Sequence, residues 1–203
     1  MLMSYVVFDF DGVIGDTYKY EIEFAENDII TAKLMKSNNI NSIDELMKRC
    51  CLDYNFSQSD DKEADIRYQK FLEDKPIQLF HEVIEILLKT NINISIVSGN
   101  NSQYIKKCLS DSMLKIQYIL GINEGISKID KINSICSNLG IDSIREVIYI
   151  TDTVADYIEL EGHVNNIYVC SWGFQKIETI KLYIPKIHIL TKFEDLLNLM
   201  NII

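Results

Sequence analysis

Proline, glycine and histidine are all scarce in this sequence. Of 203 residues, two are proline (Pro76 and Pro185), eight are glycine and three are histidine. The low proline and glycine content excludes a collagen-like chain and argues against a disordered one, and it favours long regular helices and strands. The length corresponds to one or two domains, which is enough chain to bury a substantial hydrophobic core.

Positive charge is also in short supply. The chain has 20 lysine and arginine residues against 30 acidic ones, so the formal net charge is −10. This balance argues against non-specific binding to nucleic acid or to anionic membranes, because both need an excess of positive charge. An apolar run of about 18 residues is missing as well, so no segment is expected to span a membrane. We therefore expect neither nucleic acid nor a membrane as partner.

The five cysteines show no C-x-x-C spacing, and the three histidines are scattered away from them. A zinc site is therefore not indicated. The N-terminus carries neither a basic segment nor an apolar stretch before its first acidic residue, so it does not look like a secretory signal peptide. These features predict a reduced, cytoplasmic protein.

Short apolar runs rich in valine, isoleucine and tyrosine predict strands that are covered on both faces, as in a parallel sheet. The clear runs are residues 5–8, 92–97, 147–150 and 167–169, and weaker candidates are residues 118–120 and 187–190. Segments of helical length lie between them. From about residue 77 onward strand and helix alternate, which predicts an α/β fold with a doubly wound parallel sheet.

Helix boundaries can be predicted from capping residues. Ser127 precedes a helical segment that Gly140 closes, and Thr153 precedes one that Gly162 closes. Residues 191–194 (Thr-Lys-Phe-Glu) have the form of a capping box at the start of the last helix.

One segment does not follow the alternation of strand and helix. Residues 17–75 contain no convincing strand and are typical of helices, with a capping box at residues 42–45 and a polar break at residues 57–62. We interpret this segment as an all-helical insert placed after the first strand. The prediction is a core domain of residues 1–16 and 76–203 with a helical cap of residues 17–75.

Two acidic residues, Asp9 and Asp11, follow the first predicted strand. Residues i and i+2 of a strand face the same way, and open α/β sheets bind ligands at the carboxyl edge of their strands. Two carboxylates this close repel each other unless a cation or a shared proton intervenes. The pair therefore suits a metal or acid–base site, although a solvated acidic turn is the more ordinary interpretation of such a pair alone.

Two further strands end in polar residues. Ser98 and Gly99 follow the run at 92–97, where a hydroxyl and backbone N–H groups at a helix start suit a phosphate. Asp152 and Asp156 follow the run at 147–150. Taken alone, the first motif is an ordinary strand–helix turn and the second is ordinary helix N-capping.

A lysine, Lys128, stands at the start of the helix that follows Ser127. A solvated surface lysine is the ordinary interpretation, although the helix dipole disfavours a cation in the first turn. Lys131, one turn further on, is the alternative to Lys128 as the lysine of a functional site.

In combination and in this order, the four motifs resemble those of the haloacid dehalogenase-like (HAD) superfamily of phosphohydrolases, over nearly the whole chain. Residues 9–17 resemble its first motif, after which a helical cap is inserted. Its second to fourth motifs fall on Ser98, Lys128, and Asp152 with Asp156. Residues 171–174 (Ser-Trp-Gly-Phe) also resemble a loop of the phosphoglycolate phosphatase-like branch.

The resemblance implies a Mg²⁺-dependent phosphatase that acts on a small phosphorylated metabolite. Asp9 would be the nucleophile that forms an aspartyl-phosphate, and Asp11 the general acid and base. Mg²⁺ would be held by Asp9, by the backbone carbonyl of Asp11 and by Asp152.

The resemblance also implies roles for the other motif residues. Ser98, Gly99 and Lys128 would bind the phosphoryl oxygens, and Asp156 would orient Lys128 or the water molecules on the metal. Thr151 departs from the pattern, because many members have glycine there. We expect it to be tolerated if its side chain points away from the site.

Other functions of the same fold stay open. In a phosphotransferase or phosphomutase a sugar hydroxyl would replace water as acceptor, and a binding or regulatory protein would keep the fold without turnover. Dehalogenation is disfavoured, because dehalogenases of this superfamily lack a carboxylate at the position of Asp11. The motifs predict neither the substrate nor the oligomeric state.

Overall fold

The computed structural model describes residues 5–52, 62–90, 92–125 and 127–202. Its strands are β1 (Tyr5–Phe8), β2 (Gly15–Asp16), β3 (Gln78–Leu79), β4 (Asn93–Val97), β5 (Ile116–Leu120), β6 (Val147–Thr151), β7 (Asn166–Cys170) and β8 (Ile189–Leu190). Its helices are α1 (Tyr18–Asn27), α2 (Ile29–Ser37), α3 (Ile43–Leu52), α4 (Lys62–Leu72), α5 (His81–Lys89), α6 (Ser102–Leu109), α7 (Lys128–Leu139), α8 (Val154–Leu160), α9 (Ile177–Tyr183) and α10 (Phe193–Ile202). None of these helices is long and apolar enough to cross a membrane.

The main sheet is six-stranded and parallel, in the order β5-β4-β1-β6-β7-β8. The chain proceeds from β1 outward through β4 and β5, then returns to the other side of β1 and continues through β6, β7 and β8. The order therefore reverses at β1, which is where an α/β sheet leaves a crevice at its carboxyl edge. This arrangement confirms the predicted α/β fold with a doubly wound parallel sheet.

Both faces of the sheet are covered, which explains why its strands are continuously apolar. On β1, Val6 and Phe8 pack into one core cluster, while Tyr5 and Val7 pack into the other. Helices α5 and α10 cover the first face, and α7 and α8 cover the second. The predicted strands agree with the observed ones to within about two residues.

One strand prediction needs correction. Of residues 187–190 only Ile189 and Leu190 form a strand, β8. The residues before it form a 3₁₀ turn, in which the His188 backbone N–H donates to the Pro185 carbonyl at 2.8 Å. Ile187 is 80% exposed in this turn, so its apolar side chain does not belong to the buried run that suggested a longer strand.

The predicted boundaries of α7 and α8 are confirmed. The Ser127 side chain accepts a hydrogen bond from Asp130 N, and Gly140 ends α7 at a φ of +67°. The Thr153 side chain caps α8 by accepting from Asp156 N, and Gly162 follows its end at a φ of +83°.

The last helix has a cap that differs from the predicted box. Because α10 begins at Phe193, the acid that reaches back is Asp195 and not Glu194. Its Oδ2 accepts from both the backbone N–H and the hydroxyl of Thr191, each at 2.8 Å. The helix begins one residue later than predicted, so Asp195 rather than Glu194 accepts the hydrogen bonds from the cap.

Helices α1 to α4 lie between β2 and β3, which form an antiparallel ribbon. No strand occurs among residues 18–52 and 62–75, as the helical interpretation of this segment requires. Ser42 caps α3 through Glu45 N at 3.1 Å, while the Glu45 carboxylate reaches Asn41 N rather than Ser42 N. Residues 57–61 of the predicted polar break lie outside the described residues.

Candidate active site

The predicted site residues follow neighbouring strands of the sheet. Asp9 follows β1, Ser98 follows β4 and Asp152 follows β6. Because these strands are parallel, their carboxyl ends meet at one edge. The Asp9 backbone N–H donates to the Ile150 carbonyl at 2.8 Å, which ties the end of β1 to β6.

A pocket of about 280 Å³ opens at this edge. It is lined by the predicted residues Asp9, Asp11, Gly99, Lys128, Asp152 and Asp156. Ser98 lies beneath it and is fully buried. The structure thus brings together side chains that are up to 147 positions apart in sequence, from Asp9 to Asp156.

Lys128 is buried between two carboxylates. Its Nζ lies 2.5 Å from Asp9 Oδ2 and 2.5 Å from Asp156 Oδ2. Burial alone would lower the pKa of Lys128, but the charges of Asp156 and Asp9 outweigh it and hold the pKa well above its ordinary value. The lysine is therefore a fixed positive charge beside Asp9.

Lys131 is buried too, but its Nζ contacts backbone oxygens. It donates to the Ser98 carbonyl at 2.7 Å and to the Gly121 carbonyl at 3.4 Å. Burial, together with the charge of Lys128, lowers the pKa of Lys131 to about 8. Of the two rival lysines, the geometry thus favours Lys128 as the one that acts on the carboxylates, while Lys131 ties two strand ends together.

Asp11 contacts a hydroxyl and an amide that follow β4. Ser98 Oγ donates to Asp11 Oδ2 at 3.0 Å, and Asn100 Nδ2 donates to Asp11 Oδ1 at 3.2 Å. Burial raises the pKa of Asp11, although these hydrogen bonds oppose the rise. A carboxyl that holds its proton more readily than usual suits general acid chemistry.

The backbone of two glycines packs directly against the Asp152 side chain and leaves no room for a Cβ atom. A Cβ at Gly12, whose φ is +69°, would lie 2.0 Å from Asp152 Oδ2, and a Cβ at Gly173 would lie 2.4 Å from the same oxygen. The Phe174 backbone N–H donates to this oxygen at 2.7 Å. Burial raises the pKa of Asp152 to about 7, and no described residue forms an ion pair with it.

The sequence profile of a family described as haloacid dehalogenase-like hydrolase matches residues 6–160, more than half of the chain. The chain belongs to this family. The predicted family, and the hydrolase class that goes with it, are confirmed. No curated protein matches the chain in sequence at a significant level.

Solved structures of similar fold span the haloacid dehalogenase-like hydrolase from end to end. A predicted phosphatase from Clostridium acetobutylicum superimposes with a TM-score of 0.72 at 16% identity, covering 100% of both chains. A proposed phosphoglycolate phosphatase from Lactobacillus delbrueckii subsp. bulgaricus gives 0.67 at 15%, covering 98% of this chain and 99% of that one. A haloacid dehalogenase-like family protein from Streptococcus pneumoniae gives 0.69 at 21%, covering 97% and 98%. At these identities the likeness shows a shared fold.

Thr151 is the residue at which this haloacid dehalogenase-like hydrolase departs from the expected motif. Its side chain points toward the site, so the condition under which we expected threonine to be tolerated there is not met. Thr151 Oγ1 donates to Asp156 Oδ2 at 2.5 Å. Thr151 shares a face of β6 with Tyr149, whose ring lies 5.7 Å from Lys128 Nζ, and this face is the one that Asp156 approaches.

The donor set of the site can be tested against a divalent cation. No three His, Cys, Asp or Glu side chains converge as a preformed metal cluster in the described part of the chain. The Asp11 carboxyl is directed at Ser98 and Asn100, which leaves its backbone carbonyl as donor, as the resemblance implied. With the Asp9 and Asp152 carboxylates this gives hard oxygen ligands of the kind that Mg²⁺ prefers. The buried carboxyl of Asp152, with which no described cation forms an ion pair, fits such an ion.

Sequence reasoning assigned no role to several residues of the site. Asn100 links Asp11 to the helical segment, because its Oδ1 accepts from Gln69 Nε2 at 2.9 Å. Its place directly after the Ser98-Gly99 motif is the one sequence signal that could have found it. Glu21 and Tyr68 also line the pocket, and no motif marks them.

Proposed function

We propose that this haloacid dehalogenase-like hydrolase is a phosphatase that hydrolyses a small phosphomonoester through an aspartyl-phosphate on Asp9. The observation that carries the proposal is the placement of Asp9 at the end of the central strand, with the buried Lys128 ammonium 2.5 Å from its Oδ2. A carboxylate nucleophile that attacks a phosphate dianion needs such a neighbouring positive charge.

Asp9 and Asp11 divide the chemistry between them. A carboxylate oxygen of Asp9 forms a bond to phosphorus as the bond to the leaving oxygen breaks, and Asp11 gives its proton to that oxygen. Asp11 then takes a proton from water, whose oxygen attacks the same phosphorus and releases inorganic phosphate and free Asp9. The raised pKa of Asp11 suits the first of these proton transfers.

Lys128 and Gly99 would hold the phosphoryl group, and Ser98 would join them once its hydroxyl turns from Asp11 toward the pocket. Gly99 lines the pocket and a Cβ there would meet open space, so its backbone is accessible. Asp156 would act through Lys128, which it holds at 2.5 Å.

Mg²⁺ is the cofactor that the donor set fits. Asp9, the Asp11 backbone carbonyl and Asp152 would hold it. When bound, Mg²⁺ offsets the repulsion between the carboxylates and the phosphate and stabilises charge on the transferring group.

The volume of the pocket indicates the size of the substrate, and the β2–β3 ribbon indicates where the core ends and the cap begins. A volume of about 280 Å³ lies below the roughly 300–1,000 Å³ of sites for drug-sized ligands, which supports a small metabolite as substrate. The β2–β3 ribbon, in which Gly15 pairs with Leu79, supports a division into a core of residues 1–16 and 76–203 and a cap of residues 17–75. A cytoplasmic location stays a prediction from composition.

The proposal is tested by phosphate release. The purified chain is assayed against sugar phosphates, phosphoglycolate, nucleotides and other phosphomonoesters, with Mg²⁺ and after chelation. We expect release of inorganic phosphate that requires Mg²⁺ and is lost in Asp9→Asn, while Asp142→Asn, an exposed acid, behaves like the wild type. No release from any phosphomonoester would contradict the proposal.

A further inference from the structure

The wall of the pocket opposite the strand ends comes from α1, α3 and α4. Its described lining residues are Glu21, Met47, Cys50, Cys51 and Tyr68. Glu21 is the one charged side chain among them. Lys128, the one described cation that lines the pocket, is already engaged by Asp9 and Asp156.

Among the described residues, Tyr68 alone donates a hydrogen bond to Glu21. The Tyr68 hydroxyl donates to Glu21 Oε1, and Glu21 Oε2 accepts no hydrogen bond from a described residue. Burial, and the charge of Asp11, raise the pKa of Glu21 to about 8, which the Tyr68 hydrogen bond only partly opposes. The carboxylate therefore lies in a place where a further donor or a positive charge would stabilise it.

Tyr68 is in turn fixed by aromatic neighbours. Its ring lies 5.1 Å from that of Phe24 and 6.4 Å from that of Phe71, measured between centroids. Tyr68 and Phe71 lie on α4, and Phe24 and Glu21 lie on α1. The pair is thus positioned by the packing of two helices, and Tyr68 orients Glu21 toward a defined place.

The negative charge of Glu21 favours leaving groups that carry a positive charge over those that carry a negative one. A short leaving group that ends in a carboxylate would meet Glu21, and the described cation that lines the pocket, Lys128, is already paired with Asp9 and Asp156. Lys48 and Lys176 line a neighbouring cavity of about 160 Å³ instead. An ammonium group would gain a charge-assisted hydrogen bond to Glu21.

We propose that Glu21, oriented by Tyr68, is a specificity-determining residue that selects phosphomonoesters whose short leaving group carries an ammonium group. This inference rests on the proposed phosphatase function and names its substrate class, a small amino-alcohol phosphate. It disfavours phosphoglycolate, whose leaving group is an anion.

Three two-carbon phosphomonoesters of nearly equal size test the proposal: phosphoethanolamine, 2-hydroxyethyl phosphate and phosphoglycolate. In the wild type we expect kcat/KM to fall in that order. Replacement of a charge-assisted hydrogen bond by a neutral one should lower kcat/KM about tenfold. Glu21→Gln should therefore reduce phosphoethanolamine turnover about tenfold, with little change for 2-hydroxyethyl phosphate. Tyr68→Phe should shift the preference in the same direction, because it leaves Glu21 unoriented.

Glu26→Gln, an exposed acid on the same helix, is the matched control and should leave all three values unchanged. The inference is overturned if phosphoglycolate is hydrolysed as efficiently as phosphoethanolamine, or if Glu21→Gln lowers all three values equally. Phosphate release from other monoesters without any preference for an ammonium group would overturn it too, while leaving the phosphatase proposal standing. No release from any phosphomonoester would overturn the phosphatase proposal and this inference with it.

Discussion

The Lys128 ammonium nitrogen lies 2.5 Å from Oδ2 of Asp156, the same separation that joins it to Asp9. Asp156 thus fixes the direction of the lysine that neutralises Asp9. Burial would raise the pKa of Asp156, but Lys128 and the hydrogen bonds of its neighbours hold that pKa below its ordinary value. The acid stays ionised, and a buried ion pair of this kind is costly to break from one side.

Replacement of Asp156 by asparagine should therefore harm both stability and turnover. Loss of one partner of a buried pair costs about 3–5 kcal/mol. We expect urea unfolding to show a decrease of this order, and phosphate release to fall because Lys128 loses its orientation. Asp142→Asn is the matched control, and equal midpoints for the two variants would contradict the assigned role.

The Thr151 hydroxyl should support Asp156 in a measurable way. Thr151→Val keeps the shape and removes the donor, which should cost about 1–3 kcal/mol in the free energy of unfolding and slow turnover. Thr151→Ser keeps a hydroxyl and should retain most of both quantities. If the valine and serine variants are indistinguishable in denaturant unfolding and in kcat, the hydrogen bond to Asp156 has no role.

Comparison of Gly12 with Gly140 tests whether the contact between Gly12 and Asp152 matters for activity. Both have positive φ, +69° and +67°, but a Cβ at Gly140 meets nothing within 4 Å, whereas one at Gly12 lies 2.0 Å from Asp152 Oδ2. Alanine at either position should cost about 1 kcal/mol through its backbone. Only Gly12→Ala should also weaken Mg²⁺ binding, measured by calorimetry, and phosphate release. Equal loss of activity in both variants would contradict the importance of this contact.

The raised pKa of Glu21 predicts how stability changes with pH. A carboxyl whose folded-state pKa lies near 8, against an ordinary 4.5, binds its proton more tightly in the folded state. Stability should therefore fall as the pH rises between these two values, where the folded state retains a proton that the unfolded state has lost. Thermal unfolding of the metal-free protein should show this slope. Glu21→Gln should flatten it and Glu26→Gln should not, and an unchanged slope in Glu21→Gln would refute the assignment.

Much of the fold could be predicted because its central strands are buried on both faces, so that β1 is apolar throughout and β6 is apolar up to Thr151. The ends of α7 and α8 could be predicted because Ser127, Gly140 and Thr153 have strong local preferences. The start of α10 was ambiguous, since Glu194 and Asp195 are both acids and only the exact helix start decides between them. Capping residues therefore predict that a helix is present more reliably than they predict the residue at which it begins.

The edge of the sheet where the site lies could also be predicted, because parallel strands place their carboxyl ends together. The direction of Thr151 could not, since it depends on which face of β6 the helix carrying Asp156 approaches. Glu21 and Tyr68 lie 47 positions apart on separate helices, and no local pattern predicts their hydrogen bond. Contacts of this kind depend on how helices pack, which a single sequence does not display.

The central claim is that Asp9 becomes phosphorylated during turnover. The protein is mixed with a phosphomonoester that it hydrolyses in the presence of Mg²⁺, quenched in acid within the first turnovers, digested and analysed by mass spectrometry. We expect one phosphoryl group on the peptide that contains Asp9, and none in Asp9→Asn. Release of phosphate at the full rate with no phosphoryl group on Asp9, or wild-type turnover in Asp9→Asn, would contradict the account.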